Sequence, residues 1–274
     1  MCLVKMRNIY KSFGHVVALR NVDFDVGPNE VVGLIGDNGA GKSTLIKILC
    51  GVTPPTRGEI YVKGQKIDPR KYSVRMAHEL GIEPVYQEQA LAVKQPLWRN
   101  IFIGRQPTTW LGFIRIKEAK KQTEDLLRRF LGFTGAGVDS DTTVRTLSGG
   151  ERQGVAIARA MFFQADLVVM DEPTTALSLQ ESAKVLDFIQ KIKEHGKSCV
   201  YISHNIADVF SVSDRFVVLD RGEVVAEYEK AKISESELIE ALLTYRGRGG
   251  LRARESGHST RKESDSIEAN RSST

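Results

Sequence analysis

The chain is 274 residues long, 41% hydrophobic and formally +5 at neutral pH, enough for one large or two small domains with a proper core. Seven basic and four acidic residues lie between Arg246 and Thr274, which leaves only +2 for everything before them; a nearly balanced body argues against a nucleic-acid partner, and the basic tail reads as a disordered, solvated run with attraction to an acidic membrane surface only a secondary reading. Cys2, Cys50 and Cys199 are odd in number and lack metal-ligand spacing, no run approaches the ~20 apolar residues of a membrane span, and the first ten residues carry no signal-peptide core, so a reduced, cytosolic setting is expected.

In chain order, Leu3 to Arg7 and Asn21 to Val26 alternate with period two, the pattern of half-buried strands, and Asn8 to Gly14 between them reads as a turn carrying Tyr10 and Phe13. Glu30 to Ile35 is a short apolar run suited to a buried strand, and Leu45, Ile46, Ile48 and Leu49 follow at helical spacing. Gly58 to Val62 and Gly64 to Ile67 form a second strand–turn–strand, so a small antiparallel sheet is expected beside a parallel core. A helix is predicted over about 69–80 and a strand over 82–86. From about 88 to 163 strand signals vanish; Ala119, Thr123, Leu126, Leu127 and Phe130 share one helical face, and Trp98, Phe102, Trp110 and Phe113 read mostly as the small core of an inserted helical subdomain, with an exposed groove for a partner helix lined by some of them as the secondary reading. Strand–helix alternation then resumes with a strand at 166–170, a helix at 178–195 that turns Leu179, Val185, Leu186, Ile189 and Ile192 inward, a strand at 198–202, a short helix from Asn205, a hairpin across Arg221-Gly222 and a last helix opened by Ser234 and Glu237. The expected organisation is one α/β domain over 1–245 with the helical insertion inside it, then the tail 246–274.

Between the predicted strand and helix stands Gly36-Asp37-Asn38-Gly39-Ala40-Gly41-Lys42-Ser43-Thr44, which fits G-x-x-x-x-G-K-[ST]. Its glycines let successive N–H groups turn toward a phosphate, and the following helix adds the positive end of its dipole. Lys42 is suited to the β- and γ-phosphates and the Ser43 hydroxyl to Mg²⁺. Four apolar residues ending in Asp171-Glu172 put two carboxylates at the carboxyl end of a buried strand, Asp171 placed to hold Mg²⁺ and Glu172 to take a proton from an attacking water. Leu147-Ser148-Gly149-Gly150-Glu151-Arg152-Gln153 opens a further helix with a hydroxyl and free N–H groups, a second phosphate site about a hundred residues from the first. One nucleotide does not need both from one chain, so the second is suited to a nucleotide held by another copy.

On these motifs, in this order, the chain resembles the ATP-binding subunit of an ABC transporter over about residues 3–244. The resemblance implies a P-loop NTPase with a RecA-like parallel core, an antiparallel β subdomain and an inserted α-helical subdomain. It implies ATP and Mg²⁺ as cofactors, with ATP held by Gly36 to Thr44 of one chain and covered by Ser148, Gly149, Gly150 and Glu151 of a second copy. Gln87 is then the lid-loop glutamine that touches Mg²⁺ and senses the membrane subunit, His204 the switch histidine at the γ-phosphate, and Phe13, with Tyr10 behind it, the aromatic that stacks on adenine. Gly81 to Gln87, Asn205 to Phe210, Gly154 and Ser178 resemble the carbohydrate-importer branch; Ser178 stands where the wider family commonly has Asp, which bears on coupling between the two sites. One P-loop and one signature match the single-ATPase type. The implied protein lies on the cytoplasmic face of the cell membrane, with transmembrane permease subunits as partners and an external substrate-binding protein engaged indirectly. A nucleic-acid or ribosome-associated ABC ATPase is the alternative, and a P-loop kinase or GTPase a third reading that the signature and His204 disfavour.

Overall fold

The computed structural model describes residues 2–85, 91–128, 138–175 and 177–245. Two units divide the chain, Met1–Lys230 and Ala231–Thr274. In the second, the described part is a helix over 235–245 opened by Ser234, whose hydroxyl accepts the Glu237 N–H while the Glu237 carboxylate accepts the Ser234 N–H (3.3 and 2.8 Å), the predicted capping box. The predicted tail 246–274 lies outside the described residues.

The first unit holds two sheets. One is antiparallel, in the order β2 (Val16–Val26), β1 (Val4–Phe13), β4 (Arg57–Val62), β5 (Gln65–Ile67). The other runs β10 (Glu223–Glu229), β9 (Arg215–Asp220), β3 (Val31–Ile35), β8 (Ser198–Ile202), β7 (Leu167–Asp171), β6 (Ile82–Val85), parallel from β9 to β6 with β10 as an antiparallel edge. All five residues of β3 and of β8 are buried, as expected of parallel strands covered on both faces. Of the predicted turn at 8–14, residues 8–13 are instead strand and only Gly14 lies in a turn. Asn8 takes a positive φ of 50° and its N–H donates to Asp23 Oδ1 at 2.7 Å, so β1 bends with a shift in register and runs on to Phe13.

Between the sheets lies α1 (Lys42–Leu49). A single apolar cluster joins Val4, Met6, Val22 and Phe24 of the antiparallel sheet, Leu45, Ile46, Ile48 and Leu49 of α1, and Leu34, Val169, Val200 and Ile202 of the parallel strands. This packing clamps the helix at its apolar positions on both sides. Behind the parallel sheet, α6 (Leu179–Glu194) packs on β8 and α7 (Ile206–Val212) on β3. α6 buries Val185, Ile189 and Ile192, but Leu179 is 90% exposed at its first turn and Leu186 is only partly buried. The helix predicted over 69–80 is shorter, α2 (Val74–Glu79), because Ser73 caps it by accepting the Met76 N–H.

The helical subdomain contains α3 (Leu97–Ile101), α4 (Ile116–Leu126) and the start of α5 (Gly149–Phe162). Its own core comprises Leu97, Trp98, Ile101, Phe102, Ala119, Leu126, Leu127, Val144, Leu147, Val155 and Ala158. Trp98 and Phe102 occupy the predicted core; Trp110 and Phe113 do not, being 92% and 71% exposed. Phe130 lies outside the described residues. Among the described residues no helix is long and apolar enough to cross a membrane.

Candidate functional site

Three loops meet at the carboxyl edge of the parallel sheet. Leu34 of β3 pairs with Ile202 of β8, and Asp171 of β7 pairs with the same Ile202. The residues that follow these strands are therefore neighbours: Gly36 onward from β3, Glu172 from β7, and Ser203-His204 from β8. Ligands bind in open α/β sheets at such an edge.

The first loop is shaped by close backbone approach. A Cβ on Gly36 would lie 2.2 Å from the Leu219 carbonyl oxygen, and Gly41, at φ 107°, would meet the Ala18 carbonyl oxygen at 2.8 Å, so neither position accepts a larger residue. Gly41 then opens α1 without a side-chain cap, which leaves the first helical N–H groups to a ligand. Asp37, Asn38, Gly39 and Ser43 are exposed, Thr44 is half-buried and Ala40 is buried. Lys42 is buried, and its ammonium donates to the Gly36 and Asp37 carbonyls at 2.6 and 3.0 Å. Burial pulls the Lys42 pKa below its ordinary value against the opposing charges of Glu172, Asp171 and Asp37.

Asp171 is raised above the ordinary carboxylate range, first by burial and then by Glu172, with Lys42, Lys47 and His204 pulling the other way. Glu172 has a positive φ of 50°, uncommon outside glycine, and its N–H donates to Ile202 O at 2.9 Å. That turn sends its carboxylate across to β8, where Oε1 lies 2.5 Å from His204 Nε2. Both side chains remain accessible, Glu172 half-buried and His204 exposed. Among the described residues no three His, Cys, Asp or Glu cluster as a metal cage. A Mg²⁺ bound with phosphates needs only one or two protein oxygens, and a Ser43 hydroxyl with an Asp171 carboxylate suits that donor set.

Phe13 ends β1 half-exposed, with the Lys11 ammonium 4.9 Å from its ring centroid, while Tyr10 carries Arg57 at 5.7 Å. Phe13 pairs with Val16 at the hairpin end, just before the Ala18 carbonyl and Leu19 side chain that approach Gly41. Gln87 lies outside the described residues.

At the second glycine-rich turn the structure corrects one expectation. The N–H groups of Ser148, Gly150 and Glu151 have partners within the chain. Ser148 and Glu151 cap α5 reciprocally, the Glu151 carboxylate accepting the Ser148 N–H at 2.8 Å and the Ser148 hydroxyl accepting the Glu151 N–H at 3.2 Å. The Gly150 N–H donates to Oε1 of Glu181 at 2.9 Å. The other oxygen of Glu181 accepts the Ser178 N–H at 3.0 Å, and Ser178 caps α6. Ser178 and Glu181 have capping-box spacing, a signal legible in sequence; the reach of Glu181 to a glycine 31 residues away has no local signal.

A buried charge cluster is the other feature that sequence reasoning missed. Glu83 of β6, 2% exposed, accepts from Arg105, which also contacts His78, and lies 3.4 Å from Arg159 of α5. This cluster ties the sheet edge to the helical subdomain.

A glycine loop on a helix N-terminus, a buried lysine within it and an Asp-Glu strand end facing a histidine define a P-loop nucleoside-triphosphatase. The ABC transporter family profile matches residues 19–175. A xylose/arabinose import ATP-binding protein of Sulfolobus acidocaldarius is 40% identical over 89% of this chain and 94% of its own. Ribose import ATP-binding proteins of Rubrobacter xylanophilus and Escherichia coli O157:H7 are 38% and 37% identical over 88% of this chain, which spans about half their length (47% and 46%). A solved ABC transporter ATP-binding cassette in its ADP conformation has a TM-score of 0.72 at 25% identity, over 88% of this chain and 95% of that one. A dimeric, post-hydrolysis cassette bound to ADP and Pi has a TM-score of 0.68 at 26% identity, over 83% and 98%. The chain belongs to the ABC transporter family, as one of its ATP-binding cassettes.

Proposed function

We propose that this protein is the ATPase subunit of a sugar importer, working as a head-to-tail pair on the cytoplasmic face of a membrane beside permease subunits. The observation that carries the sugar reading is the likeness to a xylose/arabinose import ATP-binding protein along nearly the whole of both chains. A five-carbon sugar is the substrate this favours, reached indirectly through an external binding protein.

Lys42 and the N–H groups of 36–44 hold the phosphates of ATP, and Phe13 stacks on the base. Ser43 and Asp171 would hold Mg²⁺, with Gln87 as a further contact, and the bound ion would neutralise phosphate charge. Glu172 takes the proton from the attacking water, and His204, 2.5 Å away, keeps that carboxylate aimed and approaches the γ-phosphate. Ser148, Gly149, Gly150 and Glu151 of the second copy complete the site, in keeping with the solved dimeric cassette to which this chain is similar. Closure on ATP and reopening after hydrolysis pass through the Gln87 region to the permease.

Two measurements test this reading. The ATPase rate of the isolated protein should rise faster than linearly with its concentration, since each site needs two copies; strict proportionality down to dilute protein would exclude shared sites. In proteoliposomes with its permease and binding protein, xylose or arabinose should stimulate hydrolysis. Stimulation by an unrelated solute class, with none by pentoses, would overturn the sugar assignment.

A further inference from the structure

Between α3 and α4 the chain makes a short hairpin that adds nothing to the core of the helical subdomain. Thr108 pairs antiparallel with Ile114, the Thr109 N–H donates to Phe113 O at 2.8 Å, the Gly112 N–H to Thr109 O at 2.9 Å, and the Arg115 N–H to Pro107 O at 2.8 Å. Each of these bonds ties the hairpin to itself. Its tip is therefore held in shape without burying its side chains. Trp110 is 92% exposed, Phe113 71% and Leu111 60%, with Ile114 and Ile116 about half exposed alongside, whereas Trp98 of the same subdomain is 5% exposed. Large apolar side chains clustered this way mark a contact surface.

Charge separates the candidate occupants. From Leu91 to Lys121 there are seven basic residues and one acid; Arg105 is paired with Glu83 and Lys120 with Asp141, which leaves Lys94, Arg99, Arg115, Lys117 and Lys121 as the exposed cations of this stretch. The acid, Glu118, is spent on Arg115 at 3.3 Å. Lys117 and Lys121 lie one turn apart on the exposed side of α4, directly after the tip. Cytoplasmic loops of membrane proteins are themselves enriched in Lys and Arg and would be repelled by this collar, while acidic lipid headgroups are drawn to it.

We propose that the hairpin 107–116 is a membrane-interface anchor. Trp110, Leu111 and Phe113 enter the boundary between headgroups and acyl chains of an anionic bilayer, and Lys117 and Lys121 engage the headgroups. Tryptophan suits that depth because one end of its ring system is apolar and the indole N–H is a donor. The lysine stems lie along the apolar layer and keep their ammonium groups at the surface. Either signal alone gives marginal binding; an apolar wedge and a basic collar together give a stable one. Such a contact fixes the orientation of the ATPase against the bilayer, in addition to its hold on the permease, and does not depend on which solute is carried.

The test uses the full chain and flotation with vesicles of phosphatidylcholine alone or mixed with phosphatidylglycerol. Binding should be at least about tenfold stronger to the acidic vesicles and should weaken with salt. In W98F, Trp110 is the sole tryptophan; its emission should shift to the blue on binding and be quenched by lipids brominated in the acyl chain. The W110S/F113S variant should lose flotation and K117E/K121E its preference for acidic lipid, both with nucleotide affinity unchanged. Flotation of W110S/F113S equal to wild type would assign binding to another basic segment and overturn the proposal. So would an unshifted Trp110 spectrum on bound vesicles. Loss of permease co-purification in W110S/F113S, with no vesicle binding by the wild type, would make the hairpin a protein contact and overturn it equally.

Discussion

His204 Nε2 lies 2.5 Å from Glu172 Oε1, a contact across two adjacent parallel strands between residues 32 positions apart in sequence. The left-handed backbone at Glu172 costs about 1 kcal/mol and aims the carboxylate at the histidine instead of along its own strand. E172Q keeps the shape and removes the proposed base. It should bind ATP with near-normal affinity, accumulate a dimer on gel filtration with ATP, and lose about 100-fold or more in turnover. H204A should lose turnover with little change in ATP affinity. Near-normal turnover in E172Q would mean that another group is the base.

Glu181 holds the Gly150 N–H in the single chain, at the place proposed to meet the partner's nucleotide. A carboxylate there competes with a phosphate for the same donor. E181Q retains an acceptor for the cap of α6 but loses the charge. On the proposed dimer, the protein concentration for half-maximal ATPase should fall roughly threefold to tenfold in E181Q. S178A should lose about 1 kcal/mol of stability through its cap and leave that concentration unchanged. Identical concentration dependence in E181Q and wild type would show that the contact does not oppose closure.

Glu83 sits between Arg105 and Arg159 with its side chain 2% exposed. E83A leaves two guanidinium groups facing each other without a carboxylate. Urea denaturation should show a loss of about 3 kcal/mol, and a loss below about 1 kcal/mol would mean that the cluster is held together by its apolar surroundings.

Acid sensitivity has a candidate source in Asp166. Burial pushes its carboxyl up, but Lys197 at 2.8 Å and Lys63 at 2.6 Å outweigh this and hold it below the ordinary carboxylate range. A depressed folded-state pKa means that the unfolded chain takes up the proton first. The stabilisation is therefore present above the ordinary carboxylate pKa and is lost as pH falls through the folded one. Between about pH 5 and about pH 3, D166N should show a shallower decline in denaturation midpoint than wild type. Superimposable acid limbs would remove Asp166 from the account.

Local pattern made much of the architecture legible. The runs at 31–35, 167–170 and 198–202 read as buried strands because they are continuously apolar, and Gly36 to Thr44 reads as a phosphate loop because its glycines and lysine have a fixed spacing between a strand and a helix. The turn predicted at 8–14 failed because register shifts at Asn8 and again on either side of Lys11 let a strand continue through polar residues to Phe13, which periodicity does not register. Leu179 and Trp110 failed for a related reason: apolar character favours burial but does not supply a neighbour to bury against.

By itself, then, the sequence determined most of the strands and helices, the glycine-rich loop that follows a buried strand, and which acids and histidine stand at strand ends. Only the tertiary structure decided that Leu34, Asp171 and Ile202 lie in one register and so bring three distant loops to one edge, that Glu181 covers Gly150, and that Glu83 gathers Arg105 and Arg159. The physical reason is range. Helix, strand and turn propensities act over a few residues, whereas strand order and side-chain contacts across elements are set by the packing of the whole core.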